Sequence, residues 1–189
     1  CLKSLDIKTY TEKDGLMEKV VNYILEDREG RIWLATGNGL SCYTGNRFKN
    51  YTKENGLISH LINGLMEDRQ GNIWVTTSEG LSIFSPPTGV FTNYTTKNGL
   101  PGNVLFQSFQ TADGTVWIAY KKGAVLCREG KFYPPPVQVP SQVFDLQEDT
   151  GGEMWFATDT GLYRYNREIS RLTRYTTRQG LPNDTVYEI

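Results

Sequence analysis

Leu25–Leu40 reads LEDREGRIWLATGNGL, and the same phrase returns three times along the chain. Set on its tryptophan, it recurs as MEDRQGNIWVTTSEGL around Trp74, FQTADGTVWIAYKKGA around Trp117 and QEDTGGEMWFATDTGL around Trp155. The tryptophans are 41, 43 and 38 residues apart. A glycine stands three residues before each (Gly30, Gly71, Gly114, Gly152) and another six after it (Gly39, Gly80, Gly123, Gly161). Self-similarity near a period of about 40 residues is the signature of an array of supersecondary units.

Each unit holds four short β-forming pieces separated by turn chemistry. In the first, Val20–Glu26 is rich in β-branched and aromatic residues, and Asp27–Gly30 is its turn. Asp27 can accept amide protons across that turn, and Gly30 can supply a positive φ. Arg31–Thr36 is mainly apolar and predicts a central strand covered on both faces. Gly37-Asn38-Gly39 makes a tight hairpin into Leu40–Tyr43, and Arg47–Tyr51 alternates as an outer strand with one wet face should.

A second signature joins the units: YTEKDGL from Tyr10, YTKENGL from Tyr51, YTTKNGL from Tyr94 and YTTRQGL from Tyr175. After each Gly-Leu the next strand enters in constant register. On this reading the chain 1–189 is one repeat segment. Residues 1–16 end with the last strand of a preceding unit, LDIKTY. Residues 17–57, 58–100, 101–140 and 141–181 are four units, and 182–189 begin a fifth. Four antiparallel strands per repeat predict an all-β fold of β-propeller blades. About four blades make either an arc of a larger ring, the favoured reading, or a small closed ring. The tryptophans Trp33, Trp74, Trp117 and Trp155 are expected in the core rather than as sugar-stacking platforms.

The 101–140 unit departs from the others. Thr111 takes the place of the turn aspartate, Tyr120-Lys121-Lys122 that of Thr-x-x, and Ala124 that of leucine. Tyr133-Pro134-Pro135-Pro136-Val137 replaces the Tyr-Thr connector, so the outer strand should be short, because proline donates no ladder hydrogen bond. Drift at a tolerant position and a specialised contact surface both fit.

The pattern Val-x-x-Ile-x-Glu-Asp-x-x-Gly-x-Ile-Trp-x-x-Thr-x-x-Gly-Leu, followed by Phe-x-x-Tyr-Thr, resembles the two-component regulator propeller repeat. It runs from Val21 through Asp27, Gly30, Trp33, Thr36, Gly39 and Leu40 to Phe48, Tyr51 and Thr52, with further copies over 62–95 and 143–176. The resemblance implies blades of a seven-bladed propeller in the extracytoplasmic region of a membrane-bound signalling protein. Such proteins are mostly glycan-responsive hybrid histidine kinases of gut Bacteroidetes, and others end in diguanylate cyclases. It therefore implies a periplasmic sensor segment, joined to the membrane only through parts of the parent protein outside these residues.

The remaining composition excludes more than it suggests. A formal net charge of −1 offers no basic field for nucleic acid. Cys1, Cys42 and Cys127 lack metal or redox spacing, and Cys42 and Cys127, on third strands two repeats apart, read as small apolar fillers in preference to a disulfide. The lone His60 sits in a connector without ligand partners, so no metal and no cofactor is expected. Glu26-Asp27, Glu67-Asp68 and Glu148-Asp149 recur at one turn, blades apart, and suit turn capping rather than the facing carboxylates of a glycosidase. No catalytic constellation emerges.

A ligand is expected on the face that bears the entering connectors and the hairpins between second and third strands. That face should carry Asn38, Glu79, Lys121, Lys122 and Asp159 from hairpins, and His60, Asn103, Gln142 and Asn183 from connectors. Tyr120 with Lys121 and Lys122 is the favoured site, pairing an aromatic ring with two cations for an acidic glycan. The expected function is non-enzymatic ligand sensing. The alternatives are a protein-interaction scaffold or lectin-like propeller, the sensor of a cyclase, or, least supported, a polysaccharide lyase or glycosidase. Expected partners are a small molecule or oligosaccharide, the remaining blades of the parent propeller, and a second copy in a homodimer.

Overall fold

A computed structural model describes residues 7–189. Sixteen strands form four separate antiparallel sheets, each a simple meander in chain order. The first sheet comprises β1 (Val21–Glu26), β2 (Ile32–Thr36), β3 (Gly39–Tyr43) and β4 (Phe48–Tyr51). The second comprises β5 (Ile62–Glu67), β6 (Ile73–Thr77), β7 (Leu81–Ser85) and β8 (Val90–Tyr94). The third comprises β9 (Leu105–Gln110), β10 (Val116–Tyr120), β11 (Gly123–Arg128) and β12 (Lys131–Tyr133). The fourth comprises β13 (Val143–Glu148), β14 (Met154–Thr158), β15 (Gly161–Asn166) and β16 (Arg171–Tyr175). Successive first strands β1, β5, β9 and β13 lie side by side, which places them at the inner edge of the blades.

In sheets one, two and four the turn after the first strand is built by its aspartate. Asp27 Oδ1 accepts from the Glu29 and Arg31 amides at 3.0 and 2.9 Å, and Oδ2 accepts from the Trp33 indole Nε1 at 2.6 Å. Asp68 binds the Trp74 indole at 2.8 Å, and Asp149 binds the Trp155 indole at 2.8 Å. One carboxylate thus closes the turn and satisfies the buried indole N–H. Gly30, Gly71, Gly114 and Gly152 follow at φ between +75° and +86°, as the turn requires.

The glutamates do something else. Glu67 Oε2 accepts from the Arg28 amide of the sheet before it at 3.0 Å, Gln110 Oε1 from Arg69 at 2.8 Å, and Glu148 Oε2 from Ala112 at 2.8 Å. Capping is therefore the role of the aspartate alone. Its neighbour points the opposite way and ties one sheet to the next.

Between sheets lies the core. Trp33, Leu65, Val75 and Phe84 bridge sheets one and two; Trp74, Leu105, Val116 and Ile118 bridge two and three; Trp117, Leu146 and Phe156 bridge three and four. Cys42 and Cys127 are buried free thiols, each pushed up to about 11 by burial, whereas Cys1 lies outside the described residues. The two end faces lack such cover among the described residues. Ile24 is 62 % exposed where its equivalent Leu65 is 2 %, and Trp155 is only half-buried, stacked on Tyr175 at 5.8 Å. Trp155 is thus not the core residue expected, because no further sheet covers it as the fourth covers Trp117.

The joining signature has a local logic that periodicity could not reveal. Thr11, Thr52, Thr95 and Thr176 each cap a single 3₁₀ turn, over Glu12–Asp14, Lys53–Asn55, Thr96–Asn98 and Thr177–Gln179. The third residue of each turn reaches back to the threonine amide, a reciprocal capping box. The following glycine closes the turn at φ near +98° to +101°. Of the two end strands expected from the sequence, the described residues form neither. Leu5 and Asp6 lie outside the described residues, and Ile7–Tyr10 is not a strand. The segment from Pro182 is not a strand either; the Val186 amide instead donates to Thr158 O at 2.9 Å.

Candidate functional site

The expected face exists as a surface because a polar clasp shapes its hairpins. Thr36 Oγ1 donates to Gly39 O at 2.9 Å, Thr77 to Gly80 O at 2.7 Å and Thr158 to Gly161 O at 2.6 Å. Ser41 and Ser82, on the third strands, donate to Asn50 and Asn93 and accept from the Met17 and Ile58 amides of the overlying connectors. In the third sheet both clasps are gone. Tyr120 stands in the threonine position, and Ala124-Val125 replaces Leu-Ser.

Their loss leaves a groove of about 300 Å³ beside the third sheet. Its walls are Pro101, Tyr120, Val125, Phe132, Tyr133 and Pro134. The Tyr120 ring lies against Gly102, where an added Cβ would sit 3.4 Å from Cδ2, and burial pushes its phenol up. Tyr133 is 44 % exposed at the rim. Lys121 and Lys122, both exposed, follow Tyr120 in the same hairpin. Outer strand β12 has three residues against four or five elsewhere, as its prolines require. The groove offers flat aromatic and prolyl faces, chemistry suited to a sugar ring, and Lys121 and Lys122 follow its Tyr120 wall in sequence.

The other candidates on this face divide into two groups. Asn38 and His60 are exposed and line a shallow depression of about 360 Å³ with Thr52 and Lys53. Glu79 adjoins it, paired with Lys53 Nζ at 2.9 Å and accepting from Ser59 Oγ at 3.1 Å. The Lys53 ammonium, first among these contacts, holds its carboxyl below the usual range. Asn103, Asp159 and Asn183 spend an oxygen on the connectors themselves. Asn103 Oδ1 accepts from the Thr96 amide at 2.8 Å, Asp159 Oδ1 from Gln142 at 3.2 Å, and Asn183 Oδ1 from Thr185 at 2.9 Å. Phe132, Tyr133 and Val125 were not anticipated, although the Ala124-Val125 departure marks where the groove opens.

Among the described residues no group of three or more His, Cys, Asp or Glu side chains could hold a metal ion. Among the described residues, too, no helix is long and apolar enough to cross a membrane.

The two-component regulator propeller family model matches residues 15–38 and 56–79, each spanning a first strand, its aspartate turn, the tryptophan strand and the hairpin. These two stretches are two-component regulator propeller repeats. The regulator propeller repeats superpose on the extracellular domain assigned to a hybrid two-component system of B. thetaiotaomicron, with a TM-score of 0.76 and 20% identity over 87% of this chain and 24% of that one. They also superpose on a virginiamycin B lyase of Staphylococcus aureus, with a TM-score of 0.72 and 18% identity over 92% of this chain and 61% of that one. PorZ of Porphyromonas gingivalis, a surface component of the type-IX secretion system, gives 0.66 and 17% over 89% and 29%. The chain thus spans about a quarter of the first of these proteins and three fifths of the second. At such identities the likeness establishes the propeller fold and no shared chemistry. Comparison with curated proteins returns no match.

Proposed function

We propose that these blades form a ligand-sensing segment of an extracytoplasmic two-component signalling protein, without catalytic activity of their own, and that an acidic oligosaccharide occupies the groove of the third blade. The observation that carries the proposal is the loss of both polar clasps at that one blade, with an aromatic and prolyl groove in their place and the exposed Lys121-Lys122 next in sequence after its Tyr120 wall. The regulator propeller repeats, and the fold shared with an extracellular domain of a hybrid two-component system, support a sensor role and a periplasmic setting. In this reading the uncovered faces at Ile24 and Trp155 are seats for further blades of the parent protein. The lyase likeness carries no enzymatic reading here, since it rests on fold alone.

Calorimetric titration with an acidic oligosaccharide, such as a galacturonic acid tetramer, tests the site. The Lys121→Ala/Lys122→Ala double variant should bind about tenfold or more weakly than the parent, a change of about 1.4 kcal/mol. Equal affinity in the two proteins would refute the assignment. Binding of a partner protein to the same groove, with no response to any sugar, would favour the scaffold reading instead.

A further inference from the structure

In every sheet but one, the third strand carries an aromatic ring at the same register position. The residue before each tryptophan pairs across to that position: Ile32 with Tyr43, Ile73 with Phe84, Val116 with Cys127 and Met154 with Tyr165. Three of the partners are aromatic, and the third sheet alone has a thiol.

The neighbouring rings show what the thiol leaves. Tyr43 packs 4.9 Å from Tyr10 of the connector before it and 4.9 Å from Phe48 of its own fourth strand, while Tyr10 and Phe48 meet edge-on at 5.6 Å. Phe84 repeats the arrangement, 4.8 Å from Tyr51 and 4.7 Å from Phe91, which meet edge-on at 5.7 Å. At the third sheet Tyr94 and Phe132 keep the edge-on contact, at 5.5 Å, but Cys127 brings no ring to join them. Phe84 also packs on Trp33 at 5.5 Å, a contact that a thiol cannot offer Trp74. The flanking pair has held its spacing, so the site has not collapsed onto the missing ring.

A recess of about 370 Å³ opens beside Cys127, between the second and third sheets. Trp74, Ile83, Tyr94 and Val116 supply its apolar wall, and the exposed Arg69 and Arg128 border it. Tyr94 is only half-buried where its equivalent Tyr51 is 6 % exposed, as a ring that lacks one neighbour should be. Asp68, the buried carboxylate beside Trp74, is spent on the Gln70 and Asn72 amides and the indole. Burial pushes the Cys127 thiol up to about 11 and keeps it neutral. A large side chain replaced by a small one leaves a cavity where its surroundings do not close in, and an apolar cavity of this kind takes aromatic guests.

We propose that this recess binds a small neutral aromatic molecule, whose ring takes the place that Tyr43 and Phe84 fill in the two sheets before. Trp74 and Tyr94 give it the edge and face contacts that their equivalents give a protein side chain. The guest thereby completes the joint between the second and third sheets.

The test is calorimetric titration with 4-methylphenol, the tyrosine side chain as a free molecule, with 4-methylcyclohexanol in parallel. The phenol should bind saturably and the saturated alcohol about threefold or more weakly, for want of ring contacts. Cys127→Phe restores the ring and should abolish binding, whereas Cys127→Ala keeps the space open and should retain it. Ile83→Phe fills the recess from the second sheet and gives the same reading should Cys127→Phe fail to fold. Lys121→Ala/Lys122→Ala should leave the affinity unchanged, which separates the recess from the oligosaccharide groove. Absence of saturation up to about 10 mM phenol, equal affinity for the saturated alcohol, or undiminished binding in folded Cys127→Phe or Ile83→Phe would each overturn the proposal. So would a loss of binding in Cys127→Ala or in the double lysine variant.

Discussion

The turn aspartates show how one side chain settles several local questions together. In sheets one, two and four a single carboxylate closes the turn and receives the indole N–H of the second-strand tryptophan. Burial opposes the charge on Asp27, but the Trp33 and Arg31 donors outweigh it and its carboxyl lies below the usual range. In sheet three Thr111 occupies the position, and Asp113 takes over from two residues later. Its Oδ1 accepts from Thr111 Oγ1 at 2.6 Å and from the Thr115 amide at 3.0 Å, and these donors, the hydroxyl first, bring its carboxyl down to about 2. A carboxyl lowered on folding stabilises the native state above its unfolded value of 3.8, and that contribution is lost as the pH falls through about 2. Asp113→Asn should therefore lower the melting temperature at pH 6, and the gap from the parent should close as the pH falls from about 4 to about 2. A gap of constant size across that range would contradict the assignment.

At the scale of the element, punctuation decided the structure more than strand composition did. Gly39 lies at φ +138°, and a Cβ there would sit 2.5 Å from Tyr51 O, the end of the fourth strand that passes over the hairpin. Gly39→Ala should cost about 1–3 kcal/mol from backbone strain alone, and more from the carbonyl contact. Urea unfolding would measure it, and a loss within about 0.5 kcal/mol would mean the hairpin shifts freely to admit the methyl group. The strands and aspartate turns were legible in the sequence because glycine, aspartate and tryptophan act at fixed short range. The 3₁₀ turns were not, since three residues are too few to show a period, although Thr52-x-x-Asn55 and its counterparts spell the capping box. The groove was half legible. Tyr120 stood out as a departure, but the meeting of Pro101, Phe132 and Pro134 around it depends on contacts between a connector and two strands. The Tyr23–Gln107 hydrogen bond was illegible for the same reason, because its partners are 84 residues apart.

At the scale of the molecule, stability resides between sheets. Trp74 belongs to the second sheet but is enclosed with Leu105, Val116 and Ile118 of the third. Trp74→Ala should destabilise by about 3–5 kcal/mol, as a buried aromatic truncation does. Chemical denaturation monitored by circular dichroism would register it, and a loss below about 1 kcal/mol would mean the indole is not a joint between blades. The half-buried Trp155 has no such neighbour among the described residues, which is why its core role could not be carried over from the repeat.

The ties between the turns run in one direction only. Each turn amide, at Arg28, Arg69 and Ala112, donates forward to a side chain of the sheet that follows, and no sheet returns the favour at that position. The array is thus a row of hooks and eyes. Glu26 is an exposed eye at one end, and Thr150 occupies the hook position at the other. A two-fold axis through either end would set eye against eye or hook against hook, so two copies can repeat this contact only head to tail. Handedness of attachment, rather than strength of any single bond, then governs what can be added to each end.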